Sequence, residues 1–239
     1  MTRTFKVLSL LLTYPDGEIK RHAGELRDPL REEALLPKPQ QALIEKLIRE
    51  LEDRDLYELQ ERYVLLFDRT RSLSLHLFEH IHGEGRDRGE AMLDLKAHYE
   101  KQGYEIASAE LPDFLPLFLE FLSTLPFEEA CELLSQPLHI IAALRQRLQR
   151  RGSVYAPVFQ VLETIATGKP SANRLKELLG MSDDDPDDFA QLDEAWEDRP
   201  VTLGPGDAAA NGCNPNRIAA RLRAAKRPAR DAGLPRGTR

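Results

Sequence analysis

Cysteine is scarce in this chain. Of its 239 residues only Cys131 and Cys213 are cysteines, which excludes a disulfide framework and a CxxC metal site and suits a reducing compartment. No apolar run approaches the roughly 18 residues that a membrane span requires. Alternating apolar and polar residues that would make a half-buried strand are also missing, as is any internal repeat of fixed period. The sequence contains neither GxSxG nor HExxH. Its one glycine-rich stretch, GEGRDRG at 83–89, lacks both the GxGxxG and GxxxxGK[ST] spacings and follows no strand, so it reads as an interhelical turn. Cys131 sits in FEEACELL among acidic residues that disfavour a thiolate. No catalytic residue, resident cofactor or metal ligand is therefore expected.

A clustered positive charge is lacking too. Charged residues make up 31% of the chain and the formal net charge is -7, which argues against a general nucleic-acid binder and favours a basic partner. The N-terminal MTRTFKVLSLLLTYPDGE places Arg3 and Lys6 before a short apolar run, but no small-residue cleavage site follows. Tyr14-Pro15-Asp16-Gly17 reads instead as the turn ending a first helix. A cytoplasmic location is the expectation.

What is present is helical spacing. Leu43, Ile44, Leu47, Ile48 and Leu51 recur on one face, with Glu45, Lys46, Arg49 and Glu50 on the other. The same periodicity predicts helices near 3–13, 17–27, 40–53, 55–67, 87–102, 113–125, 127–135, 138–150 and 154–168, punctuated by proline and glycine. Asp113 and Ser153 stand where N-caps would. An all-α, single-domain bundle of about nine to ten helices over residues 1–180 follows, with 181–239 as a tail. Nine acidic residues lie between Met181 and Pro200, whereas Val201 to Arg239 holds eight Lys or Arg against two Asp. With so little apolar surface, this tail is expected to be disordered.

Two constellations could carry function. His76, Glu79, His80, His82 and Glu84 fall within nine positions, and on a helix His76 and His80 would share a face. Such ligands can hold a divalent metal, although the pattern matches no established motif and structural or recognition use is the simpler reading. The second is ELPDFLPLFLEFLSTLPFEEA at 110–130, a helix apolar on nearly all sides. Either it is buried centrally or one side lines a groove rimmed by Glu110, Asp113, Glu120, Glu128 and Glu129, which would suit an amphipathic basic peptide.

YVLLFDRTRSLSLHLFEHIHGEGRDRGEAMLDL, followed by ELPDFLPLFLEFLS, resembles the NarJ family, the branch of helical molybdoenzyme chaperones related to the TorD and DmsD types. LSLLLTYPDGE near the start and WEDRPVTLG at 196–204 fit as well. The resemblance implies an assembly chaperone that binds the apo catalytic (alpha) subunit of respiratory nitrate reductase in the cytoplasm. There it would keep the subunit competent for molybdenum cofactor and iron-sulfur cluster insertion before membrane docking, and would be absent from the mature enzyme. It further implies recognition of the client's N-terminal, leader-like segment, which is basic and amphipathic. Glu79, His80, His82, Gly83, Arg86, Asp87 and Arg88 match the family's most distinctive run, and Asp113, Phe114 and Phe118 its second. With Tyr63, Phe67, Asp68, Phe78, Leu117 and Phe121, these form the expected partner-binding set. The alternatives are a helical metal-binding enzyme using His76, Glu79, His80 and Glu84, and a general helical adaptor.

Overall fold

The computed structural model describes residues 2–82, 86–106 and 110–181, leaving aside the side chains of residues 82, 86 and 87. Among these residues the architecture is all-helical, and the only extended pairing is an isolated bridge between His76 and Phe114. The helices are α1 (Arg3–Leu11), α2 (Gly17–His22), α3 (Arg27–Glu33), α4 (Lys38–Asp53), α5 (Leu56–Tyr63), α6 (Glu79–His82), α7 (Arg86–Lys101), α8 (Leu115–Thr124), α9 (Phe127–Ser135), α10 (Leu138–Arg150), α11 (Ala156–Ile165) and α12 (Ala172–Gly180). The helix expected over 17–27 runs on through a 3-10 turn at Ala23–Leu26 into α3. Apolar spacing did not announce α12, because only Leu175, Leu178 and Leu179 give it a core-facing side.

Amphipathic spacing explains most of the packing. In α4, Ile44, Leu47, Ile48 and Leu51 are buried, whereas Leu43, expected on the same face, is 42% exposed at its edge. Helix α8 is the centre of the bundle. Leu115, Leu117, Leu119, Phe121 and Leu122 are all buried there, and α1 lies along it. The contact is stitched by polar bonds from the Ser9 hydroxyl to the Pro116 carbonyl at 2.6 Å and from the Thr2 amide to the Ser123 carbonyl at 3.0 Å. Lys6 pairs with Glu120 along the same seam. On the other side α10 packs against α11 and α12.

The N-terminus of α1 is capped from a distance. Thr2 occupies the cap position without a side-chain bond, leaving first-turn amides to find acceptors elsewhere. Glu33, at the end of α3, supplies them. Its carboxylate accepts from the Arg3 amide at 2.7 Å, the Thr4 amide at 2.8 Å and the Thr4 hydroxyl at 2.7 Å. Burial pushes the Glu33 carboxyl up, but these bonds outweigh it and hold it below its ordinary value. Its stabilising contribution is therefore present above the unfolded glutamate pKa of about 4.3 and is lost as pH falls through the folded value. Glu33→Ala should cost about 1–2 kcal/mol, the usual loss for a helix cap. Urea unfolding at pH 7 and pH 4 checks both points, and the variant's deficit should shrink at the lower pH.

Candidate functional site

Between α5 and α6, over residues 64–78, the chain departs from α-helical geometry. Helix α5 runs into a single π-turn at Val64–Asp68, closed by the Arg69 amide donating to the Val64 carbonyl at 2.9 Å. Buried Thr70 donates its hydroxyl to the Leu65 carbonyl at 2.8 Å and fixes the exit. Such turns insert one residue into a helix and are frequent at functional sites. Here Tyr63 and Phe67 are both buried, with ring centroids 5.0 Å apart. Tyr14 meets Tyr63 edge-on at 5.5 Å, Tyr155 meets Phe67 at 5.1 Å, and the Tyr63 hydroxyl donates to the Leu12 carbonyl at 3.0 Å. Asp68 is left exposed.

After a 3-10 turn at Arg71–Leu73, residues 74–78 run against 111–115. The Leu77 amide donates to the Asp113 carbonyl at 3.0 Å, and the Leu115 amide to the Leu75 carbonyl at 2.9 Å. Fully buried Asp113 organises this junction. Its carboxylate bonds His76 Nδ1 at 3.2 Å, accepts from the Phe78 amide at 3.1 Å and lies 3.7 Å from the Arg88 guanidinium. Arg88 also pairs with half-buried Glu79 at 3.1 Å. Asp113 is thus not a helix N-cap: α8 starts at Leu115 behind Phe114, which makes no capping bond. The carboxylate goes to a non-local contact, which local pattern cannot foresee. Ser153 does accept from an amide ahead of α11, that of Tyr155 at 3.3 Å.

The histidines part company. His80 Nε2 lies 2.9 Å from the Ser74 carbonyl, which requires the proton on that nitrogen, and burial pushes the ring's pKa down. His76 goes the other way. Its bond to Asp113 raises its pKa against the opposing effect of burial. His76 lies ahead of α6 and shares no helix face with His80, and a nitrogen of each ring is engaged by protein. Glu84 lies outside the described residues. Among the described residues no group of three or more His, Cys, Asp or Glu could hold a metal ion. Because His76 is raised, its stabilising pairing is fully present below the unfolded pKa of about 6.5 and lost as pH rises through the folded value. Denaturation midpoints should fall on the alkaline side of neutrality, and His76→Gln should flatten that slope.

Asp68, His76 and Glu110 are electrostatic neighbours. Although Asp68 is exposed, partial desolvation by its surroundings pushes its carboxyl up, His76 opposes this, and the charge of Glu110 adds to it. The Asp68 carboxylate thus feels both an imidazole and a second carboxylate. The His76 ring lies against Phe114 at 5.2 Å. Val64, Leu65, Leu66, Phe78 and Phe114 are each partly accessible, and Leu111 is 41% exposed. Asp68 and Glu110 are exposed carboxylates among partly accessible apolar side chains, with Arg69 and Arg71 exposed in the same stretch as Asp68.

The expected partner set is thus divided. Asp68, Phe78, Glu79, Arg88 and Phe114 reach or border this surface, His80 and Asp113 support it from within, and Tyr63 and Phe67 form its aromatic underside. Leu117, Phe118 and Phe121 belong instead to the core, at 7%, 6% and 0% exposure. Phe121 packs on Tyr99 at 4.5 Å and Tyr104 at 5.6 Å. Glu120, expected on a groove rim, is engaged by Lys6, and the apolar side chains of α8 are buried. Gly83 and the side chains of His82, Arg86 and Asp87 lie outside the described residues. Sequence reasoning passed over Tyr14 and Arg147. The second was signalled by its place on the buried face of α10, between Leu144 and Leu148.

This helical architecture is shared with a solved structure of a candidate redox enzyme maturation protein from Archaeoglobus fulgidus. The match has a TM-score of 0.50 at 22% identity and covers 68% of this chain and 91% of that one. The family itself follows from sequence. Residues 33–160 match the nitrate reductase delta subunit family, and the chain belongs to it. It is 40% identical over 218 residues to the nitrate reductase molybdenum cofactor assembly chaperone NarJ of Escherichia coli, covering 91% of this chain and 90% of NarJ. NarW of the same organism is 36% identical over 211 residues, covering 88% and 87%.

Proposed function

We propose that this chain is an assembly chaperone for respiratory nitrate reductase. It would bind the apo catalytic subunit and keep it open to molybdenum cofactor and iron-sulfur cluster insertion, the cofactor being the client's cargo and not the chaperone's own. The observation that carries the reading is the 40% identity to NarJ across nine-tenths of both chains. The surface around Asp68 and Glu110 suits a basic, amphipathic, leader-like segment, whose cations would relieve the carboxylates while its apolar side chains cover Leu111 and Phe114. No helix among the described residues is long and apolar enough to cross a membrane, and a cytoplasmic site of action fits a client met before membrane docking.

Co-expression with a nitrate reductase catalytic subunit in cells unable to make molybdenum cofactor tests the proposal. The two should co-purify, and a synthetic peptide of the client's N-terminus should bind the chain 1:1 by calorimetry. Asp68→Lys should weaken that peptide by about tenfold or more, the equivalent of about 1.4 kcal/mol. Failure to capture the subunit would refute the chaperone reading. Capture without any effect of Asp68→Lys would move the contact elsewhere on the chain.

A further inference from the structure

Arg147 is 3% exposed in the middle of the bundle. One guanidinium nitrogen donates to the Ser72 carbonyl at 2.7 Å, and the other terminal nitrogen to the Leu178 carbonyl at 2.6 Å. The two acceptors belong to separate parts of the protein. Ser72 lies in the 3-10 turn that opens the site loop, and Leu178 in the last turn of α12, where its carbonyl also accepts from the Met181 amide at 3.3 Å. Helix α12 is held shallowly, because Leu178 is its buried residue while Leu175 and Leu179 are only partly covered.

We infer that Arg147 is the joint through which docking of α12 on α10 sets the order of the site loop, so that release of α12 loosens residues 72–78. A guanidinium is a rigid planar fork. The Leu178 carbonyl anchors one nitrogen of that plane and so helps aim the other at Ser72, an alignment that weakens when the anchor leaves. Ser72 leads directly to Ser74, whose carbonyl holds His80 and whose hydroxyl accepts from the His76 amide at 3.2 Å. The charge of Arg147 is also felt at His80. A ligand that displaced α12 would thereby alter the surface around Asp68 without touching it, which is a coupling between two sites in the thermodynamic sense. Arg147 acts here as a positioning residue.

Hydrogen exchange on the full chain decides the matter and needs no client, so its outcome is independent of the chaperone reading. Leu178→Asp undocks α12. The amides of Leu73, Ser74, Leu77 and Phe78 should then exchange about tenfold faster or more, the scale of one lost bond to a charged group, while α1 and α8 exchange as before. Arg147→Met should reproduce this pattern, and adding Leu178→Asp to it should change the loop no further. If Arg147→Met does not fold, Arg147→Lys takes its place with a smaller acceleration of the same amides. Faster exchange confined to α12 after Leu178→Asp, or equal acceleration in every helix, would overturn the inference.

Discussion

Asp113→Ala should destabilise the protein by about 3 kcal/mol or more, the cost of removing one partner from a buried charged cluster. The carboxylate is fully buried and serves the His76 ring, the Phe78 amide and the Arg88 guanidinium. Its loss strands donors in two segments, the 74–78 loop and α7. Urea unfolding measures the magnitude, and amide signals of residues 74–80 should broaden or shift before the bundle melts. Asp113→Asn keeps a carbonyl oxygen for the Phe78 amide and should fall between wild type and alanine. A deficit below about 1 kcal/mol for the alanine variant would place this cluster with exposed ion pairs, whose contribution is small.

Leu117→Ala and Phe118→Ala should both lower stability, each by about 2–5 kcal/mol, the range for truncating large core side chains. Neither should alter the affinity of the remaining folded protein for a client peptide, since both side chains point inward. The paired measurement is informative because an all-round apolar helix can be central or can line a groove, and its sequence does not choose between them. Should Phe118→Ala leave the unfolding midpoint unchanged and weaken peptide binding, α8 would have a second working face after all.

Legibility in the sequence follows the range of the forces involved. Helices such as α4 and α10 are readable because their burial is a matter of spacing along one element. The helix α12 escaped because three leucines are too few to set a period. Asp113 shows the limit more sharply. Its position before a helix suggests a cap, and only the pairing of 74–78 with 111–115 reveals that the carboxylate is claimed from the other side. The π-turn at Val64–Asp68 is equally silent, since Tyr63 and Phe67 lie one regular turn apart and spacing alone predicts an uninterrupted helix. The neighbourhood of Asp68, His76 and Glu110 was divided between two motifs that sequence treats as separate. The family motif nevertheless bracketed it, because the resemblance spans both segments of the junction.

The seam between α1 and α8 has a consequence for how the protein is made. Ser9 finds its acceptor at Pro116, 107 residues further on, and Thr2 finds Ser123, so α1 is made well before the helix that covers it along this seam. Translation at about 5–20 residues per second leaves it waiting on the order of 5–20 s for the partner helix. During that interval the apolar stripe of Phe5, Leu8, Leu11 and Leu12 can meet α3 but still lacks α8. A protein that shields unfinished clients would itself pass through a nascent stage in which its own N-terminal helix is an aggregation hazard, and its synthesis should be sensitive to the supply of general ribosome-associated chaperones.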